Sequence, residues 1–270
     1  MIAHECGPDI RPGFGTTMAR LIAVTNHKGG SGKTTTAVNL AAALAERQPR
    51  VLVIDLDPQA SASIWLGVKD GGRGLLDVLT EGGKLIDLVH RTDVPGVDLI
   101  PSSSWLVGIE KALSAEVAAD TILRGHLAGL PPQWKFILLD CPPALGILTV
   151  NALAAVKEVL VTVEAHVMAL QGLARLVQTV GVIRERLNPA LQITGILACR
   201  LDVRTRHAQD VVEELRNRFG DQVFKTGIRE NVRLAECPSF AQPITQYAPH
   251  SHGAEDYRAL AQEVIAQAGR

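Results

Sequence analysis

Residues 28–35 read Lys-Gly-Gly-Ser-Gly-Lys-Thr-Thr, set between the apolar run 21–25 and a stretch of helical spacing. Residues of these types in this order hold phosphate. Gly29, Gly30 and Gly32 let the backbone turn its N–H groups inward around Ser31, and a helix opening at Thr34 and Thr35 aims its positive end at the same point. Lys33 is then placed against β- and γ-phosphates, and the Thr34 hydroxyl is a ligand for Mg²⁺. The common pattern G-x-x-x-x-G-K-[ST] is incomplete, because His27 stands where its first glycine belongs. Lys28, five residues before Lys33, supplies instead the narrower pattern K-G-G-x-G-K-T. A plain connector is the competing reading, and the strand before, the helix after and the two lysines all argue against it.

Carboxylates appear where such a loop needs them. The run 51–55, Val-Leu-Val-Ile-Asp, has the composition of a buried parallel strand and ends in Asp55, with Asp57 two residues on and Pro58 stiffening the exit. Spaced by two in an extended segment, both carboxylates are expected to face one side, at the sheet edge where open α/β sheets place ligands. A second such strand, 136–140, delivers Asp140, followed by Pro142 and Pro143. There a carboxylate holds Mg²⁺ opposite Thr34, as phosphoryl-transfer sites require.

Apolar residues at helical spacing predict a helix from Thr34 to about Glu46, and further helices at 105–119, 120–128, 145–156, 169–187, after Arg206, and 253–267. Strands are predicted at 21–25, 51–55, 97–103, 136–140, 158–164 and 191–201, and 226–251 reads as loop-rich. The alternation predicts an α/β fold, a mostly parallel, doubly wound sheet with helices on both faces. Residues 1–20, with two prolines and three glycines and no apolar period, read as a flexible extension ahead of one domain at 21–270.

Composition sets bounds on function. The chain has 270 residues, is 47% hydrophobic and carries a formal net charge of −1, so any nucleic-acid contact has to come from a local patch. No apolar run reaches the roughly 18 residues of a membrane span, and no secretory leader is evident, which predicts a cytoplasmic protein without a membrane partner. Cys6, Cys141, Cys199 and Cys237 are far apart, form no C-x-x-C, and read as free thiols.

The segments KGGSGKTT, DLDPQ, DCPPALGILTVNAL, ALQGL, RENVRLAECPSF and HGAEDY together resemble the ParA/Soj family of chromosome and plasmid partition ATPases, within the deviant Walker A group, over residues 20–268. The resemblance implies an ATP-sandwich homodimer in which Lys28 crosses to the partner's phosphates. It gives Lys33 and Thr34 the phosphate and Mg²⁺ roles, makes Asp57 the residue that positions the attacking water, and has Asp55 support metal-bound water beside Asp140. Arg200 and Pro238 fall where the family surrounds the adenine. Arg204 and Arg233 fall where it contacts non-specific double-stranded DNA. The cofactors implied are ATP and Mg²⁺, the partner protein a ParB-type adaptor that stimulates slow hydrolysis, and the location the nucleoid. Three departures stand out: His27 replaces a usual glutamine, His166 a usual glutamate, and Ala60 a common glycine after DPQ.

Competing readings share the fold. A membrane-cycling ATPase of the MinD type needs a basic amphipathic C-terminal helix, and 255–270 carries few cations. A small-molecule ligase or kinase needs an acceptor pocket beside the phosphates. A non-hydrolysing nucleotide module is disfavoured by the presence of both Asp57 and Asp140.

Overall fold

The computed structural model describes residues 19–114 and 116–267; the expected extension before Ala19, with Cys6, lies outside them. Arg20 already belongs to the first strand. Its guanidinium is bound by the Glu158 carboxylate and the Val264 carbonyl, so the chain is anchored from that residue on.

Seven strands form one sheet: β1 (Arg20–Thr25), β2 (Val51–Asp55), β3 (His90–Arg91), β4 (Val97–Ile100), β5 (Phe136–Asp140), β6 (Glu158–Glu164) and β7 (Gln192–Cys199). Their order is β3-β4-β2-β5-β1-β6-β7, and every pairing is parallel except the short edge pair β3/β4. The larger helices are α1 (Lys33–Ala45), α2 (Ser61–Trp65), α3 (Gly74–Glu81), α4 (Ile109–Ala112), α5 (Ile122–Ala128), α6 (Ile147–Ala155) and α7 (Val167–Arg186). They are followed by α8 (Arg206–Phe219), α9 (Val232–Glu236), α10 (Ile244–Tyr247) and α11 (His252–Ala266).

The strands are apolar throughout because both faces are covered. Leu52, Ile54, Ile137, Leu139, Val159 and Val161 point into the layer of α3, α5, α6, α7 and α8. Their neighbours Val51, Val53, Leu138 and Leu160 point into the opposite layer, built on α1, α2 and α11. Helix α11 docks on α1 through Tyr257, Leu260, Ala261 and Val264, all buried, and the Tyr257 hydroxyl lies 3.4 Å from that of Thr36.

Two expectations are corrected. The helix expected over 105–119 is a 3-10 turn, Ser104–Gly108, followed by the single turn of α4, because Gly108 interrupts the run and Trp105 and Val107 face solvent. The loop-rich segment 226–251 condenses into α9, a 3-10 turn at Cys237–Phe240 and α10, with Pro238 and Pro243 at the breaks. Cys141, Cys199 and Cys237 are free and buried, as expected.

Candidate functional site

The site lies at the C-terminal edge of the sheet, where β1 passes through a glycine-rich turn into α1. Gly30 (φ +75°) and Gly32 (φ +87°) both adopt the left-handed conformation open to glycine, and Gly32 packs beside the Cys199 side chain. The turn is pinned to β6. The Asn26 side chain donates to the Thr162 carbonyl and accepts the Lys28 N–H at 3.1 Å, while the Ser31 hydroxyl, buried, lies 3.3 Å from that of Thr162. No side chain among the described residues caps α1 at Gly32, which leaves its first N–H groups open to an anion.

Lys33 is buried and its ammonium donates to the Lys28 carbonyl at 3.2 Å. Burial lowers its pKa, opposed by the carboxylates of Asp140 and Asp57. Asp140 is fully buried, and neither of its oxygens has a hydrogen-bond partner of ordinary geometry among the described residues. Desolvation holds its pKa well above the usual carboxylate range, the nearby Asp55 raises it further, and the Thr34 hydroxyl beside it acts in the opposite sense. An unpaired buried carboxylate is costly and calls for a cation. No group of three or more His, Cys, Asp or Glu side chains among the described residues is placed to hold a metal alone. A cation held by Asp140 and Thr34 would complete its shell with phosphate and water, the arrangement hard Mg²⁺ favours.

Asp55 and Asp57, both near enough to Asp140 to raise its pKa, differ in burial and bonding. Strand β2 ends at Asp55, so alternation stops there. Asp55 turns inward and accepts from the Asp57 N–H at 3.0 Å, the Ser63 N–H at 2.8 Å and the Ser63 hydroxyl at 2.7 Å. Asp57 lines the cleft in front of the loop, with Gln59 and Ser61 beside it. Ser63, eight residues beyond Asp55, had no signal in the sequence.

The cleft has a volume of about 940 Å³ and runs from Gly29, Gly30 and Lys33–Thr35 past Asp57 to a far wall of Arg200, Leu201, Ile228, Asn231 and Leu234. Arg200, one residue past β7, holds a left-handed backbone (φ +54°). Of the two residues expected around adenine, Arg200 lines that wall, whereas Pro238 is exposed on the 3-10 turn outside it. Arg204, on the rim, is gripped by both oxygens of Asp202 at 2.8 and 2.9 Å. Arg233 on α9 is 63% exposed and lies 3.3 Å from Glu236, whose same oxygen accepts the Tyr247 hydroxyl. The Asn231 side chain caps α9 at the Arg233 N–H.

Lys28 lies outside its own cradle. Its half-exposed ammonium is 2.9 Å from Glu164 and 2.6 Å from the His166 ring. The Nε2 of His27 is buried without a partner among the described residues, and burial lowers that imidazole's pKa.

A parallel sheet feeding a glycine-rich turn and an uncapped helix, with a lysine inside the turn and an unpaired carboxylate on the adjacent strand, defines a P-loop nucleotide-binding protein. Residues 19–193 match the family described as AAA domain. The chain is 43% identical to the sporulation initiation inhibitor protein Soj of Bacillus subtilis, over 92% of this chain and 99% of that one. It is 48% identical to the chromosome-partitioning ATPase Soj of Thermus thermophilus, over 92% of this chain and 96% of that one. Among solved structures, cobyrinic acid a,c-diamide synthase from Mycobacterium smegmatis with bound ATP analogue and magnesium superposes with a TM-score of 0.83 at 31% identity, over 94% of this chain and 97% of that one. The chain belongs to the ParA/Soj family of partition ATPases, and is an ATPase of the P-loop class.

Proposed function

We propose that the chain binds ATP with Mg²⁺, pairs with a second copy across the nucleotide, binds DNA without regard to sequence in that state, and is released when an adaptor of the ParB type stimulates hydrolysis. The observation that carries this reading is Asp140, buried and unpaired beside Thr34 and Lys33 at the open end of α1. Asp140 and Thr34 would hold a magnesium ion, which would supply neutralisation of the phosphate charge. Lys33 meets the phosphates from within the chain, Asp57 orients water from the cleft wall, and Lys28, outside its own cradle, serves a partner's.

The DNA contact rests on Arg204 and Arg233. Both are exposed, Arg204 paired with Asp202 and Arg233 with Glu236 and the Tyr247 hydroxyl, surface contacts weak enough for a phosphate backbone to replace. One such patch is too small to hold DNA at physiological salt; two brought together by a dimer are not. Reading the backbone rather than base edges makes the contact insensitive to sequence. A cytoplasmic, nucleoid-associated location follows. In a MinD-type cycle a C-terminal helix inserts into lipid, whereas the apolar face of α11 is buried on α1, and no helix among the described residues is long and apolar enough to cross a membrane.

The test is co-sedimentation with non-specific DNA in ATP, in ADP and without nucleotide. Retention in ATP alone is expected, and Arg233→Glu is expected to abolish it while leaving ATP-dependent dimerisation intact. Equal retention in ATP and ADP refutes the switch. A second reading, ATP-driven ligation, is favoured by the likeness to the Mycobacterium smegmatis synthase. Phosphate release without any small acceptor separates the two.

A further inference from the structure

Glu164 ends β6 in register with Cys199 on β7, so its position is set by the sheet. The loop that carries Lys28 is tied to the same strand through Asn26 and Ser31 at Thr162. Loop and carboxylate therefore share one frame, and the contact between Lys28 and Glu164 at 2.9 Å is built into the single chain. The two oxygens of Glu164 are divided: one accepts from Lys28, the other from Arg200 of the cleft wall at 3.1 Å. His166 lies 3.6 Å from the oxygen that takes Lys28. The Lys28 hydrogen bond, with the charges of Lys28, Arg200 and His166, holds the Glu164 carboxyl below its usual pKa. Nothing in the sequence pattern required this acid, and the phosphate cradle does not use it.

We propose that Glu164 is a positioning residue that holds Lys28 within its own subunit, so that association across ATP has to break this pair in each copy. The inference rests on the reading that Lys28 serves the partner's phosphates. Glu164 is 21% and Lys28 49% exposed at the side chain, so the pair is modest, worth about threefold in an equilibrium. A symmetric dimer breaks two such pairs, and the effects multiply to about tenfold. The polyphosphate offers Lys28 more negative charge than one carboxylate, which lets nucleotide win. Arg200, held by the other oxygen and lining the cleft, ties the same carboxylate to the nucleotide's binding wall.

The experiment is sedimentation velocity over a range of protein concentrations, with Mg²⁺ and a non-hydrolysable ATP analogue, on wild type, Glu164→Gln and Lys28→Met. Glu164→Gln is nearly isosteric at a strand end and is expected to self-associate about tenfold more tightly. In nucleotide-free protein, the rate at which an amine-directed reagent labels Lys28, read by mass spectrometry, is expected to rise several-fold in Glu164→Gln, which a purely structural role for Glu164 does not produce. Association in Glu164→Gln that is unchanged or weaker, with Lys28→Met unable to associate, overturns this inference and leaves the proposed function standing. Association of Lys28→Met at the wild-type concentration overturns the reading beneath it.

Discussion

Asp55 and Asp140 are register partners at the ends of adjacent parallel strands, both fully buried, and they are opposite in their bonding. Asp55 accepts three hydrogen bonds from Asp57 and Ser63; Asp140 accepts none of ordinary geometry among the described residues. One carboxylate is spent on shaping the turn that carries Asp57, while the other is left for a cation.

Removing the charge of Asp140 should therefore help the nucleotide-free protein and harm the loaded one. Asp140→Asn is expected to stabilise the protein without nucleotide by about 1 to 2 kcal/mol, since a neutral amide costs less to bury than an unpaired carboxylate. Urea unfolding in EDTA measures this. The same variant should lose most of the stabilisation that Mg²⁺ and ATP give the wild type, read as a smaller rise in Tm.

Stability of the nucleotide-free protein should also depend on pH through this pair. Burial raises the Asp55 pKa from 3.8 to about 6 and pushes Asp140 upward as well. Raised carboxylates favour the protonated folded state, so their contribution is fully present below the unfolded value and is lost as pH rises through the folded one. For Asp55 a difference of this size is worth about 3 kcal/mol at most. The advantage of Asp140→Asn over wild type, compared by unfolding at pH 7.5 and pH 5, should shrink at the lower pH.

Ala60 occupies a left-handed conformation (φ 52°, ψ 33°) at the N-cap of α2, and its N–H donates to the Asp57 carbonyl at 2.8 Å. An L-residue there carries strain of roughly 1–2 kcal/mol, which glycine avoids at some cost in the unfolded chain. Ala60→Gly is expected to stabilise the protein by about 1 kcal/mol in urea unfolding. An equal or lower midpoint would show that the turn holds no such strain.

Asp57 lines the cleft in front of the phosphate loop and is only partly buried. Asp57→Ala is expected to lower phosphate release on the order of 100-fold or more, the size typical of a lost group that positions or activates water. The variant should accumulate as the ATP-bound dimer on gel filtration. Unchanged turnover refutes the role.

The phosphate loop, the strand-borne acids and the doubly wound sheet were legible because each is a local pattern: glycine and lysine spacing, β-branched runs ending in aspartate, helical periods between them. Local patterns failed where the chain departs from regular geometry. The i, i+2 rule holds within a strand, and β2 stops at Asp55, so the spacing says nothing of how differently Asp55 and Asp57 are bonded. The helix expected over 105–119 broke at Gly108, and Pro238 proved to lie away from the cleft wall. The residues that complete the site, Ser63 against Asp55, Asn231 on the far wall and Glu164 against Lys28, are joined by contacts as distant as 136 positions in the chain. Thus the sequence by itself determined which groups can hold a phosphate and that a parallel sheet presents them. Only the tertiary structure decided which acid is satisfied, which is left open and which lysine is held in place, because hydrogen-bond partners and burial are set by what the fold packs against each side chain.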